Sequence, residues 1–207
     1  MKLFYMETLN PRKACAVAKY LNSPVEFVHV DATKGENKTP EFLAINPNAK
    51  LPVLEDGPVR LWEANAIMCY LARAARSDLW PDDERQVEVL RWLSWNADHF
   101  TRHAGSLYFQ NLIKPLFGAS PDAAAVKEAT EQFNRFAHVL DDHLRDRKFL
   151  LGDTLTIADF AVGSALPYAD KAKIPLAEFP EVRRWHDRLN DIPAWREPFP
   201  VRPARAA

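Results

Sequence analysis

The chain has 207 residues, 47% of them hydrophobic and 27% charged, with a formal net charge of −1 and a pI of about 6.6. That length accommodates one large domain or two small ones with real cores, and the balanced charge excludes an electrostatic grip on nucleic acid or an anionic membrane. The two cysteines, Cys15 and Cys69, sit in helical runs without metal-ligand spacing, and no apolar run approaches membrane-spanning length. The apolar run in MKLFYMETLN is only four residues, too short for a signal peptide. A cytoplasmic protein in a reducing compartment is expected.

Lys2 to Met6 reads as a central strand, Glu7 to Arg12 as a turn, and Lys13 to Leu21 as a helix with Pro11 near its first position. Val25 to Val30 is a second strand, which makes a right-handed βαβ unit. A polar loop (GENK) leads to a short helix, Pro40 to Ile45. A strand beginning at Pro52 follows, then a turn at Glu55-Asp56-Gly57-Pro58, a strand at Val59 to Trp62, and a helix from Asn65 to about Arg76. The order βαβαββα predicts a four-stranded mixed sheet complete within about 76 residues.

Strand signals vanish beyond Ser77–Asp83, which is the expected linker, and residues 84–207 are expected to form an all-helical domain. Glu84 to Lys114 carries a helical apolar stripe with a kink expected near Gly105, and Ala123 to Leu144 repeats the pattern. Thr156-Ile157-Ala158-Asp159 has the spacing of a capping box, for which helix nucleation is a sufficient role. Pro180 to Asn190 and a short turn around Trp195 are the last helices, and the Pro198–Pro203 tail is irregular.

The stretch Thr39 to Ala64 organises the chemistry. Pro52 cannot donate to a sheet ladder and belongs at an edge or a first strand position, and its X–Pro bond is a candidate for the cis form. Leu51, held extended before it, would offer its N–H and C=O outwards to a peptide docking as an extra strand. Eleven residues on, Glu63 meets the start of a helix. Such a corner suits a zwitterionic amino-acid head: Glu63 for the ammonium, the Ala64 and Asn65 amides for the carboxylate.

Three spaced motifs then carry a resemblance. They are Asn46-Pro47-x-Ala49-Lys50-Leu51-Pro52-Val53-Leu54, Leu61-x-Glu63-Ala64-x-Ala66-Ile67-x-x-Tyr70-Leu71, and Leu151-Gly152-Asp153-x-Leu155-Thr156-Ile157-Ala158-Asp159. In this order the chain resembles cytosolic glutathione transferases over nearly its whole length, in particular serine/threonine-type bacterial members. The resemblance implies an α/β thioredoxin-like N-terminal domain (1–76) plus an all-α C-terminal helical domain (84–207), and a homodimer. It also implies glutathione as co-substrate, with no metal. The cysteinyl backbone would pair with Leu51 beside Pro52, the γ-glutamyl head would sit at Glu63, Ala64 and Asn65, and the glycyl carboxylate would approach Lys50, Asn37 and Lys38. The family usually has serine at Ala64. Losing that hydroxyl removes a hydrogen bond to a charged group, which lowers affinity by roughly ten-fold or more.

Conjugation needs a thiolate, and a free thiol near pKa 8.5 is mostly protonated at neutral pH. A hydroxyl at a helix start lowers that pKa. Thr8-Leu9-Asn10-Pro11-Arg12-Lys13 is similar to the Ser/Thr-x-Asn-x-x-Lys pattern of serine- and threonine-type members. It points to Thr8 as the thiolate-stabilising hydroxyl and Asn10 as second donor, with Tyr5 and Cys15 in the core. A pocket for a small hydrophobic electrophile is expected around His99, Arg102, His103 and Phe109. His99 and His103, one turn apart, lack the acidic companion of a HExxH metal site. The leading expectation is a detoxifying transferase adding the thiolate to an apolar electrophile. A glutathione-dependent disulfide reductase and a non-catalytic binding module are the alternatives.

Overall fold

Four short strands order the N-terminal part of the computed structural model, which describes residues 1–201: β1 (Lys2–Tyr5), β2 (Glu26–His29), β3 (Val53–Asp56) and β4 (Val59–Trp62). The sheet order is β2-β1-β3-β4. β1 runs parallel to β2, with Tyr5 opposite His29, and antiparallel to β3, with Phe4 opposite Val53. β3 pairs antiparallel with β4, placing Val53 opposite Trp62. This is the mixed sheet that the βαβαββα reading requires.

Three helices accompany the strands: α1 (Leu9–Tyr20), α2 (Pro40–Ile45) and α3 (Ala64–Ala74). α1 starts four residues earlier than the sequence suggests. Pro11 is tolerated there because first-turn N–H groups have no partner within the helix anyway. The core between helix and sheet includes Leu3, Tyr5, Cys15, Val17, Leu54, Ile67, Met68 and Leu71, all fully or almost fully buried. Burial raises the thiols of Cys15 and Cys69, the latter to about 11, so both are inert at neutral pH.

Residues Ser77–Asp191 form a second compact unit, entirely helical apart from two isolated bridges near Phe149–Thr154. Its elements are α4 (Arg85–Trp95), α5 (Thr101–Tyr108), α6 (Lys114–Leu116), α7 (Ala123–Leu144), α8 (Ile157–Val162), α9 (Ala169–Ala172) and α10 (Pro180–Asn190). The expected linker belongs to this unit and is packed: Leu79 is buried, and its carbonyl accepts the Ile157 N–H at 2.9 Å.

The expected kink at Gly105 is not there. Gly105 lies inside regular α5, and the irregularities are two widened π turns on either side of it, Asn96–Phe100 and Phe109–Ile113. Each carries a buried amide side chain committed elsewhere. Asn96 donates to the Ala161 carbonyl at 3.2 Å and accepts the Thr101 hydroxyl at 2.6 Å, while Gln110 accepts the Asp122 N–H at 2.9 Å. Polar insertion of this kind, not glycine, loosens the helix.

The segment 192–201 groups with the sheet unit and not with the helical domain expected over 84–207. Its one helical turn, α11 (Pro193–Arg196), groups with Met1–Arg76. The reason lies in the cations of α1. Arg12 donates to the Trp195 carbonyl at 2.6 Å and stacks over its indole at 5.2 Å. Lys19 donates to the carbonyls of Glu197 and Phe199 at 2.7 and 2.8 Å, and the Phe199 ring stacks on Tyr5. A half-buried cation needs acceptors, and a proline-rich tail with no ladder of its own supplies carbonyls. Of the expected irregular tail, Arg202 and Pro203 lie outside the described residues.

Candidate functional site

Strand register brings the N-terminal candidates together. β1 ends at Tyr5 where β3 begins, because Phe4 faces Val53, so the turn at Thr8 and the Leu51–Pro52 step share one end of the sheet. β4 ends at that same end, Trp62 facing Val53, which delivers Glu63 and the start of α3. The parallel β2 also finishes there. Four loops therefore converge on the mouth of two helices, α1 and α3.

The Leu51–Pro52 peptide is cis, and the step is held from behind. Asn46, 1% exposed, donates from its side-chain amide to the Lys50 carbonyl at 2.8 Å while its oxygen accepts from the Asn48 N–H at 3.0 Å. Asn37 donates to the Ala49 carbonyl at 2.7 Å. The positive φ of Ala49, 53°, completes the turn. Asn37 thus supports the turn through its amide nitrogen, while its oxygen is buried with no partner among the described residues. Lys38 and Lys50 are exposed, and Pro52 is buried. Among the described residues neither main-chain group of Leu51 takes a hydrogen-bond partner.

Glu63 occupies φ 71°, ψ 113°, a region in which a non-glycine residue is strained. It precedes α3 without capping it, leaving the first amides of that helix, Ala64 and Asn65, uncapped by a side chain. The Asn65 side-chain oxygen is buried and likewise without partner among the described residues. Thr8 stands at the N-cap of α1 with extended backbone, yet its hydroxyl makes no cap bond. A threonine placed there only for capping would use that hydroxyl. Asn10, in the first turn, is exposed.

Sequence reading gave no role to Lys13, beyond its place in the Thr8 motif, or to the Glu7–His29 pair. His29 Nε2 lies 3.1 Å from a Glu7 carboxylate oxygen, just ahead of Thr8. Lys13 is only 5% exposed, and burial lowers its pKa to about 8 against the opposing pull of the Glu63 carboxylate.

In the helical unit the remaining candidates lie along the stretch from the first π turn to the second. His99 stacks on Phe136 of α7 with centroids 4.6 Å apart, and His103 stacks on the same ring at 5.7 Å. Burial, then the neighbouring Arg102, lowers the His103 pKa. Both imidazoles are engaged in packing against α7. Arg102 is exposed and Phe109 is 48% exposed.

The glutathione S-transferase N-terminal domain family matches residues 1–73, and the corresponding C-terminal domain family matches residues 104–193. Glutathione S-transferase 3 of Zea mays is 36% identical over 222 aligned positions, covering all of this chain and 99% of that protein. The chain belongs to the glutathione S-transferase family. Among solved structures, apo glutathione S-transferase III superposes with a TM-score of 0.85 at 34% identity, covering 98% of this chain and 99% of the other. Glutathione S-transferase I from maize, in complex with an atrazine–glutathione conjugate, gives 0.86 at 28% identity with 95% coverage of each chain. The architecture is that of this family, a thioredoxin-like sheet domain followed by a helical domain.

Proposed function

We propose that this chain is a glutathione transferase, activating the thiol of glutathione and adding the thiolate to an apolar electrophile. The observation that carries the reading is the meeting, at one end of the sheet, of an unpaired Leu51 main chain with two helix starts, one under Thr8 and one under Glu63. An extended tripeptide is bound by main-chain pairing in its middle and by charge at its ends. Leu51 takes the cysteinyl unit, Glu63 with the Ala64 and Asn65 amides takes the γ-glutamyl head, and Lys50 and Lys38 lie toward the glycyl carboxylate. The thiol then falls beside the Thr8 hydroxyl at the positive end of α1, with Asn10 as a further donor. This is serine/threonine-type chemistry, and we assign the enzyme to a cytoplasmic homodimer. Within the helical unit, the surface of Arg102 and Phe109 beside His99 and His103 is the part we assign to an apolar electrophile.

Titration calorimetry with glutathione and assays with a model aryl halide and a mixed disulfide test the reading. Binding in the micromolar to millimolar range with turnover of the aryl halide is expected. No heat at millimolar ligand sinks the reading, and turnover of the disulfide alone makes the enzyme a reductase. Ala64→Ser restores a donor to the γ-glutamyl carboxylate and is expected to tighten glutathione binding roughly ten-fold. The KM for the electrophile should not move.

A further inference from the structure

Three residues, Met6 to Thr8, carry the chain from the end of β1 at Tyr5 to the first residue of α1, Leu9. The Thr8 N–H donates to the Met6 carbonyl at 2.7 Å, which closes a three-residue turn with Glu7 at its centre. The Thr8 carbonyl accepts the Arg12 N–H at 3.0 Å and opens the helix. Both main-chain groups of Thr8 are therefore committed, and its hydroxyl, which makes no cap bond, is aimed by the backbone. That backbone pivots on Glu7. One neutral hydrogen bond is a modest hold on such a pivot.

A second hold comes from the neighbouring strand. His29 closes β2 opposite Tyr5 in the parallel register, and the ladder runs one step further, the Val30 N–H donating to the Tyr5 carbonyl at 2.8 Å. From that place His29 Nε2 donates to a Glu7 carboxylate oxygen at 3.1 Å, a bond strengthened by the charge on its acceptor. The imidazole is itself braced. It meets the Tyr5 ring edge-on with centroids 5.5 Å apart, and the Phe199 ring stacks on Tyr5 at 5.9 Å. Tyr5 is almost fully buried, whereas the His29 and Glu7 side chains are 21% and 32% exposed. A pair so open to water adds little to stability. Its leverage falls on the turn, whose central residue it ties to the end of the sheet.

Resting on the thiolate reading above, we propose that Glu7 and His29 are positioning residues for conjugation: their bridge fixes the turn and, through it, the direction of the Thr8 hydroxyl toward the sulfur. Both act through Thr8. A hydroxyl swung off line leaves the tripeptide bound but stabilises its thiolate less, because a hydrogen bond weakens steeply with angle.

The test reads the pKa of bound glutathione from the ultraviolet absorbance of its thiolate, beside calorimetric binding of S-methylglutathione, which has no thiol to ionise. His29→Leu and Glu7→Ala each remove the bridge. Either is expected to raise that pKa by about half to one unit and to lower kcat/KM at pH 6.5 about three- to ten-fold. Affinity for S-methylglutathione should stay within about two-fold. His29→Gln, whose amide nitrogen can stand where Nε2 does, and Glu7→Gln, which keeps an acceptor oxygen, should recover most of the loss. The deciding arm is a double variant: in a Thr8→Ala background, His29→Leu should add no further rise, since it acts through Thr8. If His29→Leu does not fold, Glu7→Ala carries the same comparisons. A thiol pKa unchanged in the bridge variants, or a rise that persists without the Thr8 hydroxyl, overturns the inference and leaves the glutathione site standing. Thr8→Ala with the wild-type thiol pKa, or a wild type that binds neither ligand, overturns the underlying reading and the inference together.

Discussion

Asp159→Ala is expected to destabilise the helical unit by about 3–5 kcal/mol, the loss typical of removing one partner from a buried charged network. For a chain of this size that lowers Tm by roughly 6–20 °C in a thermal scan. Asp159 has no exposed surface, and its two oxygens take four donors. One oxygen accepts from the Leu150 N–H at 2.9 Å and the Trp185 indole at 3.0 Å. The other accepts from the Thr156 N–H at 2.9 Å and the Thr156 hydroxyl at 3.2 Å. Alanine leaves those donors buried and unpaired, and the α8 cap, the Phe149–Thr154 turn and α10 lose their common anchor. Burial, the largest influence, raises the Asp159 carboxyl from its ordinary 3.8 to about 6, against the hydrogen bonds that favour the charged form. Between those values the folded chain holds a proton that the unfolded chain has released. The Asp159 contribution to stability therefore grows as pH falls from about 6 toward 4, and that gain is absent above about 6. Asp159→Asn cannot titrate, so the wild-type advantage over it should widen with acid in paired melts. An advantage that narrows instead would mean that hydrogen bonding to the charged form outweighs burial.

The same residue shows what the sequence conveys and what it withholds. The Thr156-x-x-Asp159 spacing is local, so the cap of α8 can be read directly. Trp185 and Leu150 reach Asp159 only through tertiary packing, and no local pattern announces a hub. The sheet was legible for a similar reason: alternation, turn residues and Pro52 are short-range signals, and strand order follows from the βαβαββα succession. Three things were not. The π turns depend on where the Asn96 and Gln110 amides find acceptors and donors far along the chain, so Gly105 was a false cue. The docking of residues 192–201 depends on Arg12 and Lys19 reaching the carbonyls of Trp195, Glu197 and Phe199 almost the whole length of the chain away. Lys13 reads as an ordinary helical lysine until its burial is known. The place of Glu63 directly before α3 was legible because an acid ahead of a helix start is itself a sequence pattern. The stacking of His99 and His103 on Phe136 was not, since that partner lies more than thirty residues away in α7.

Thr8→Ala is expected to cost about 100-fold in kcat/KM at pH 6.5, the scale on which removing one aimed donor acts, while Thr8→Ser retains most activity. The mechanism fixes a signature beyond the rate. A hydroxyl donating to sulfur, assisted by the positive end of α1, stabilises the thiolate and so lowers the pKa of bound glutathione below the free value near 8.5. Removing the hydroxyl returns that pKa upward by roughly one to two units. The loss is therefore greatest at low pH and shrinks as pH rises through the free-thiol range, where thiolate forms unaided. The pH profile of kcat/KM and the ultraviolet absorbance of the bound thiolate measure the shift independently. Stability supplies the control. N-cap threonines typically contribute 0.5–2 kcal/mol through a side-chain bond to the helix, but Thr8 makes no such bond, so Thr8→Ala should melt close to the wild type. A variant that melts early with an unchanged pH profile would make Thr8 a structural turn residue and pass the sulfur to Asn10, whose amide is the next donor on the same turn. Asn10→Ala is expected to cost only about ten-fold, because a neutral amide on an exposed first-turn residue is less well aimed than a half-buried hydroxyl.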